Sequence, residues 1–197
     1  MKRQLLVHLL LLCALATARA DTTNHITVEE LRQLRLSDVV LESVEHKTLA
    51  AKHSKPHVEV TGVIGEHIHF ELLLPDDWNE RFAMGGGGGF VGTVQNMARY
   101  SVNLGFATVG TDTGHQSLQG HMAGWALDNM EAKVNFGHLA VHRTAEVAKA
   151  LIRAYYRKDP TRSYFLGCSR GGGQAMMEAQ RYPKDFDGIV AGAPAFN

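Results

Sequence analysis

The fold of this chain is decided by one stretch, Arg162-Ser163-Tyr164-Phe165-Leu166-Gly167-Cys168-Ser169-Arg170-Gly171-Gly172-Gly173-Gln174. Residues 163–166 form an apolar, aromatic run that predicts a buried strand. The small and apolar residues that come next recur at helical spacing and predict a helix; they are Gly172, Ala175, Met176 and Ala179. Ser169 lies at the corner, where Gly167 and Gly171 leave room for a strained turn. Such a turn exposes the serine hydroxyl and directs the amide of Arg170 toward a developing oxyanion, so the pattern predicts that Ser169 is a nucleophile.

The composition is that of one globular domain. The 197 residues are 45% hydrophobic, which is enough to bury a sizeable core. Lys and Arg total 20, and Asp and Glu total 20, so the formal net charge is zero. Because no basic patch stands out, the sequence predicts no nucleic-acid partner.

The first twenty residues have the features of a secretory signal peptide. Lys2 and Arg3 give a basic start, an apolar run follows, and Ala18-Arg19-Ala20 precedes Asp21 as an A-x-A cleavage site. The apolar run is too short to span a membrane. We expect residues 1–20 to be removed and the mature chain to be secreted or periplasmic, with no membrane attachment.

The chain has two cysteines, Cys13 and Cys168. Cys13 could be a lipidation site, but Leu12 before it is larger than the residue such sites usually have. Removal of the signal peptide takes Cys13 away and leaves Cys168 alone in a compartment where disulfides form. Cys168 is therefore expected to be either buried and inert or paired with a cysteine outside this chain.

Beyond the signal peptide, the chain divides into two parts. Residues 21–56 are polar and mixed, and they predict an N-terminal arm with a short helix at 28–34, started by Thr27 with Glu30 three residues later. Residues 57–197 predict a catalytic α/β domain. Its strands are expected at 57–64, 67–74, 81–84, 106–110, 163–166 and 188–192, the first two as a hairpin. Its helices are expected at 93–104, at 135–156 with Asn135 as cap, and after Ser169. This alternation predicts a doubly wound, mostly parallel sheet.

Five consecutive glycines, residues 85–89, follow the strand at 81–84. A flexible linker fits poorly, because strand-like sequence lies on both sides. A phosphate-binding loop also fits poorly, since neither Gly-Lys-Ser/Thr nor a complete G-x-G-x-x-G fingerprint is present. A loop that donates backbone amides to an oxyanion fits best, because it stands upstream of the nucleophile after a sheet strand. We predict that Gly88 or Gly89 is the second oxyanion donor.

Polar residues follow the strand predicted at 106–110. The loop after this strand is expected at the same sheet edge as Ser169, so Asp112 and His115 are candidates for a pocket wall. The alternative is that Asp112 caps the turn while His115 forms local hydrogen bonds.

Two histidine pairs have a spacing that a metal ion could use, His67 with His69 and His138 with His142. The first pair is equally explained by the solvent-facing side of a strand, where no third ligand is implied nearby. The second is explained by surface or internally bonded histidines on a helix. We therefore predict no metal site in this chain.

The run of residues 162–197 resembles the tannase and feruloyl esterase family of serine esterases. That family typically has Gly-Cys-Ser-Thr-Gly-Gly-Arg-Gln, followed by Gln-Arg-Tyr-Pro and Asp-Gly-Ile-Val-Ala-Gly-Ala-Pro, and this chain has the last two segments at 180–183 and 187–194. Residues 81–92, 105–116 and 154–156 are also similar to that family. Two positions depart from the pattern, because Arg170 stands where Thr is common and Gly173 where Arg is common. Since the oxyanion donor at position 170 is a backbone amide, the arginine side chain there should be tolerated. At position 173, glycine in place of arginine could remove a pocket contact.

The resemblance implies an α/β-hydrolase fold and ester hydrolysis. Ser169 would attack the carbonyl of an ester, often of a phenolic acid such as gallate or ferulate, and water would release the acid from the acyl-enzyme. The expected partner is a small phenolic ester, and no cofactor is expected in this chain. The resemblance also implies that Cys168 is disulfide-bonded to a cysteine that precedes the catalytic histidine.

A complete triad cannot be assembled in the usual order. In α/β-hydrolases the acid and the histidine follow the serine, whereas the last histidine here is His142. Asp185 and Asp187 follow the predicted helix directly, too early for the family acid. Family members are longer, with a lid domain that often binds calcium. We therefore expect this chain to be the N-terminal part of such an esterase. Its sheet should be incomplete at the C-terminal side, and the chain alone should be inactive. The alternatives are a truncated, non-catalytic exported protein and an unrelated α/β-hydrolase such as a peptidase or thioesterase.

Overall fold

The computed structural model describes residues 25–48, 55–117 and 123–195. The predicted signal peptide at 1–20, with Cys13, lies outside the described residues. Within the described ranges, no helix has the length and apolar character needed to cross a bilayer.

The described residues form seven strands and four α-helices. In chain order these are α1 (Val28–Arg32), β1 (Val39–Lys47), β2 (His57–Ile64), β3 (Ile68–Pro75), β4 (Arg81–Gly85), β5 (Ala107–Thr111), α2 (Met130–Val134), α3 (Ala140–Tyr156), β6 (Arg162–Cys168), α4 (Arg170–Arg181) and β7 (Gly188–Gly192). Short 3-10 helices span Arg99–Leu104 and Gly124–Ala126, and one π-helical turn, Asn135–Leu139, joins α2 to α3.

All seven strands belong to one sheet, in the order β1-β2-β3-β5-β4-β6-β7. The pairs from β1 to β5 are antiparallel, and the predicted hairpin of β2 and β3 is confirmed, with Ile64 opposite Ile68. The pairs β5-β4, β4-β6 and β6-β7 are parallel, so five of the seven strands run in one direction. The carboxyl ends of β4, β5 and β6 therefore lie side by side at one edge, which is where ligands bind in open α/β sheets. The predicted α/β fold with a mostly parallel sheet is confirmed.

The core lies between the sheet and the helices α3 and α4. Helix α3 packs on β3 and β5, while α4 packs on β6 and β7. On α3, Val141, Ala145, Ala148, Ile152 and Tyr155 recur at helical spacing, and this apolar stripe is buried throughout. This stripe shares one buried core with Phe70, Phe82 and Phe165 of the strands, and its burial holds α3 on the sheet.

The stripe predicted on α4 is only partly right. Gly172 and Ala175 are buried, but Met176 and Ala179 are exposed. The buried face instead includes Gln174 and Glu178. The close approach of α4 to the sheet favours small residues, and Gln174 faces inward because its side chain bonds the glycine loop.

Three local predictions differ from the structure. The segment before His57 also contains β1, which pairs with β2 at the sheet edge. The helix expected at 93–104 is only the 3-10 helix Arg99–Leu104, which ends at Gly105 with φ 82°. The preceding residues instead lie along β5, where Gln95 bridges Thr111 and the missing side chain of Gly110 leaves room.

The third difference concerns the cap of the long helix. Asn135 is buried inside the π-helical turn, and the helical run begins earlier, with the Asn129 side chain accepting from the amide of Ala132 at 3.0 Å. The predicted α1 is confirmed, including its capping box of Thr27 and Glu30, although it ends two residues early.

Candidate active site

Ser169 occupies the strained corner between β6 and α4. Its backbone has φ 56° and ψ −120°, a conformation that costs a non-glycine residue roughly 1–3 kcal/mol. Three hydrogen bonds hold its backbone. The Ser169 amide donates to Gly192 O at 3.0 Å, and Ser169 O accepts from the amides of Ala195 at 2.8 Å and Gly173 at 3.1 Å. Ser169 itself is exposed. The residues around β7 thus help to hold the serine at the edge formed by the carboxyl ends of β4, β5 and β6.

The corner requires glycine on both sides of the serine. A Cβ atom at Gly167 would lie 2.0 Å from the carbonyl oxygen of Gly171, and one at Gly172 would lie 2.4 Å from Gly192 O. Gly171 packs directly on the glycine loop, with Gly86 and Gly87 backbone atoms 3.3 Å from its own missing Cβ position. The strand, the helix and the glycine loop can approach this closely only without side chains.

We predict that Gly167→Ala destabilises the chain by at least about 3 kcal/mol, because backbone atoms rather than a movable side chain meet the new methyl group. Urea unfolding of the purified variant measures the loss. The matched control is Gly137→Ala, where the new methyl group meets nothing within 4 Å and helix propensity favours alanine by up to about 1 kcal/mol. Equal unfolding midpoints for the two variants would contradict the close packing described here.

Three amides of the glycine loop after β4 already donate hydrogen bonds within the described structure. The Gly86 amide donates to Leu166 O at 2.9 Å, and the Gly87 amide donates to Gln174 Oε1 at 3.2 Å. The amide of Gly88 donates to Gln95 Oε1 at 2.8 Å. Gly89 has φ 59°, and among the described residues its amide has no hydrogen-bond acceptor. Of the two predicted oxyanion donors, Gly89 is therefore the one with an unused amide. Gln95 and Gln174, which order this loop, were not predicted from the sequence.

Arg170 begins α4, and its side chain turns toward the π-helical turn. Its guanidinium donates to Phe136 O at 2.8 Å and lies 4.0 Å from the centre of the Phe136 ring. Burial lowers the pKa of this guanidinium from its ordinary value. The predicted role of Arg170 uses only its backbone amide, so these contacts explain how a long side chain is accommodated beside Ser169.

Cys168 is exposed at the end of β6, and within the described part of the chain its thiol is free. Its backbone amide lies 3.3 Å from the sulfur of Met97. Of the two alternatives for Cys168, the one in which its thiol is buried is therefore wrong. Pairing with a cysteine outside it stays a prediction.

The two candidate pocket residues lie in different surroundings. Asp112 is almost fully buried at the end of β5, and it accepts hydrogen bonds from the Gly114 and His69 amides. Burial raises the pKa of Asp112, while these hydrogen bonds and His69 oppose that shift. The Asp112 side chain also reaches the wall of a cavity. His115 instead stacks on Trp125, with ring centres 3.7 Å apart, and burial lowers its pKa.

The two histidine pairs with metal-like spacing are bonded to other groups in the structure. His138 bonds the Tyr182 hydroxyl at 2.8 Å, and His142 bonds Asp185 at 2.6 Å while stacking on Tyr182. Neither pair, His67 with His69 or His138 with His142, belongs to a metal-binding arrangement, because residues 25–48, 55–117 and 123–195 contain no group of three or more His, Cys, Asp or Glu that could hold a metal ion. The calcium implied by the resemblance therefore has no candidate ligand set in this part of the chain.

The seven-stranded sheet and the strained serine corner together define an α/β-hydrolase fold. The chain belongs to the tannase and feruloyl esterase family, because the family described as "Tannase and feruloyl esterase" matches residues 55–197.

Individual relatives agree with this family. A probable feruloyl esterase of Arthroderma benhamiae is 47% identical over 130 residues, which are 63% of this chain and 24% of the relative. Feruloyl esterase B of Aspergillus niger is 40% identical over 132 residues, which are 66% of this chain and 25% of the relative. The crystal structure of feruloyl esterase B from Aspergillus oryzae superposes with a TM-score of 0.74 at 30% identity, covering 86% of this chain and 38% of that one. The chain thus spans about a quarter of the length of these curated relatives.

Proposed function

We propose that this chain supplies the nucleophile of an exported serine esterase that hydrolyses esters of phenolic acids. The observation that carries this proposal is the backbone of Ser169, held at φ 56° between β6 and α4 with glycines on both sides. A fold maintains such strain where it positions a reactive group. The feruloyl esterases among the relatives support the substrate class.

The proposed reaction has two steps. Ser169 Oγ attacks the ester carbonyl carbon, and the oxyanion receives hydrogen bonds from the amides of Arg170 and Gly89. The tetrahedral intermediate expels the alcohol and leaves an acyl-serine. Water then attacks this acyl group, and the free acid is released. Cys168 is proposed to be tethered to a cysteine outside this chain, which would hold the corner against the element that carries the catalytic histidine.

The described residues place no general base beside Ser169. In this fold class the histidine follows the serine along the chain, whereas all eleven histidines here precede Ser169. The described histidines have contacts with other groups, and none has a hydrogen bond to the Ser169 side chain. We therefore propose that this chain alone is inactive. The same observation favours the second candidate, an exported non-catalytic protein that retains the serine corner.

We predict that the purified chain hydrolyses methyl ferulate no faster than its Ser169→Ala variant. Removal of the base from a serine triad commonly lowers turnover on the order of a millionfold, so serine-dependent hydrolysis should not exceed the background. A spectrophotometric ester assay with both proteins at equal concentration measures this. Serine-dependent turnover would contradict the proposed inactivity of the chain. The nucleophile itself is tested by completing the fold with the C-terminal part of a feruloyl esterase.

A further inference from the structure

A cavity of about 360 Å³ lies beside the end of β5, at the edge formed by the carboxyl ends of β4, β5 and β6. It is lined by His69, Gly92, Thr93, Val94, Asp112, Gln116 and Ser117. Its walls come from the start of β3, the end of the glycine-loop segment and the loop after β5. The lining is polar on the side of His69 and apolar at Val94, which suits a small ring that carries hydroxyl groups.

His69 is the group that this cavity presents to a ligand. Asp112 Oδ2 lies 3.0 Å from His69 Nδ1, and Asp112 also accepts from Gln116 Nε2 at 2.7 Å. Gln116 Nε2 also lies 2.7 Å from His69 Nδ1, but its two protons are taken by His67 O at 3.0 Å and by Asp112 Oδ2. The proton between His69 Nδ1 and the carboxylate is therefore on Nδ1, and in neutral His69 the other nitrogen, Nε2, is left as an acceptor. The His69 side chain is about a third exposed, whereas that of Asp112 is buried. Among the described residues, no hydrogen-bond donor faces His69 Nε2.

Asp112 is itself fully engaged and cannot recognise a ligand directly. Its Oδ1 accepts from the Gly114 amide at 2.8 Å and the His69 amide at 3.1 Å. Its Oδ2 accepts from the His69 ring and the Gln116 side chain. Four donors fill the lone pairs of one carboxylate. The role of Asp112 is therefore to fix the orientation of the His69 ring and the nitrogen that carries the proton.

The cavity is within reach of a substrate held at Ser169. The ends of β5 and β6 are separated only by β4, so they are roughly 10 Å apart at the usual strand spacing. The glycine-loop segment joins the two places, because Gly86 packs on Gly171 and the Gly92 amide donates to Asp112 O at 3.0 Å. His69 lies on β3, one strand further, so its backbone is roughly 15 Å from that of Ser169. A hydroxycinnamoyl group, or a sugar attached through the ester oxygen, spans this distance together with the side chains of Ser169 and His69.

We propose that this cavity is a hydroxyl-recognising subsite, in which His69 Nε2 accepts a hydrogen bond from a ring hydroxyl of the ester substrate. The inference rests on the proposed function for the identity of the substrate, but the binding that it describes is independent of turnover. The hydroxyl has two sources, the phenolic acyl group and the sugar alcohol. Both offer the O–H donor that a neutral Nε2 requires.

The experiment measures binding to the chain by isothermal titration at neutral pH. For the acyl source, methyl 4-hydroxycinnamate is compared with methyl cinnamate. For the alcohol source, an arabinose ester of cinnamic acid is compared with methyl cinnamate. We expect one of the hydroxylated compounds to bind about 5- to 10-fold more tightly, which is the effect of one hydrogen bond between neutral groups. The compound that shows this preference identifies the source.

Three variants connect that preference to His69. His69→Phe keeps a ring of similar size without an acceptor, and it should bind the hydroxylated and plain compounds equally. His69→Gln places an amide oxygen near the position of Nε2 and should retain part of the preference. His67→Phe is the matched control, because His67 is exposed two residues away and does not line the cavity. It should behave as the parent. Circular dichroism and thermal unfolding establish that each variant is folded.

The outcomes separate the subsite from the proposed function. The subsite is overturned if the parent binds no compound, if it binds hydroxylated and plain compounds equally, or if the preference survives in His69→Phe. A preference that is lost in His69→Phe supports it, whether or not Ser169 ever hydrolyses an ester. Failure of serine-dependent hydrolysis in a completed enzyme would overturn the proposed function and leave this binding result standing.

Discussion

Ser169→Ala is expected to lower ester turnover by on the order of 10⁵- to 10⁶-fold in an enzyme to which this chain supplies the nucleophile. The suitable protein is a chimaera in which residues 25–197 are joined to the C-terminal part of feruloyl esterase B from Aspergillus oryzae, a relative whose crystal structure superposes on 86% of this chain. That part would supply a histidine after Ser169 in the order that the fold class uses. The measurement is kcat/KM for methyl ferulate.

The size of the expected loss follows from what the serine does. Without Oγ, no acyl-enzyme can form, and only the oxyanion donors and substrate binding remain to assist attack by water. The fold should be retained, because alanine removes one exposed oxygen and leaves the backbone bonds to Gly192 and Ala195 unchanged. Unchanged thermal unfolding would separate lost chemistry from lost structure.

A matched control uses the same substitution away from the corner. Ser101→Ala lies in the 3-10 helix, where the hydroxyl is buried with no hydrogen-bond partner in the described structure. Its removal should leave kcat/KM within about twofold and stability equal or higher. A folded Ser169→Ala chimaera with activity within tenfold of its parent would mean that Ser169 is not the nucleophile.

The serine corner could be predicted from the sequence because its constraints are local. Gly167 and Gly171 flank Ser169 in the chain, and the structure shows that a methyl group at Gly167 would collide with the backbone. The strands next to the corner were predicted for the same reason, since each is a short apolar run between turns. The α3 stripe also depends only on helical spacing and on burial against the sheet.

The cavity could not be predicted in the same way, because it depends on which strands are neighbours. His69 and Asp112 are 43 residues apart, and they meet only because β5 lies beside β3 and not beside β6. The sequence pattern assigned His69 to a solvent-facing strand position, and nothing local linked it to Asp112. Similarly, the amphipathic pattern of α4 favoured Met176 over Glu178, because a buried carboxyl breaks the rule on which the pattern rests.

Glu178 leads to the second large expected effect, a loss of stability as the pH rises. Its side chain is fully buried on α4, and among the described residues no donor is hydrogen-bonded to either carboxyl oxygen. Burial raises the pKa of Glu178 from 4.5 to about 8, and the nearby Asp185 adds to the shift while Lys149 opposes it. Lys149 is held nearby by a hydrogen bond to the Asp185 backbone oxygen. Between pH 4.5 and about 8, the native state therefore keeps the Glu178 proton that the unfolded chain has released.

The direction of the effect follows from this difference in bound protons. Between pH 4.5 and about 8 the native state holds one more proton than the unfolded state at Glu178, so the free energy of unfolding falls as the pH rises through that interval. Each pH unit removes about 1.4 kcal/mol, which amounts to on the order of 4 kcal/mol by pH 8. Glu178→Gln is neutral in both states and lacks this dependence.

We therefore expect Glu178→Gln to match the parent at pH 5 within about 1 kcal/mol and to be more stable by on the order of 4 kcal/mol at pH 8. Urea unfolding at the two pH values measures the difference. Subtracting the two pH profiles removes the contribution of groups that do not interact with Glu178. Glu131→Gln, on the exposed surface of α2, is the control, and its profile should run parallel to that of the parent. If the Glu178→Gln profile is also parallel, the carboxyl at position 178 reaches solvent and the packing of α4 on β7 is looser than described.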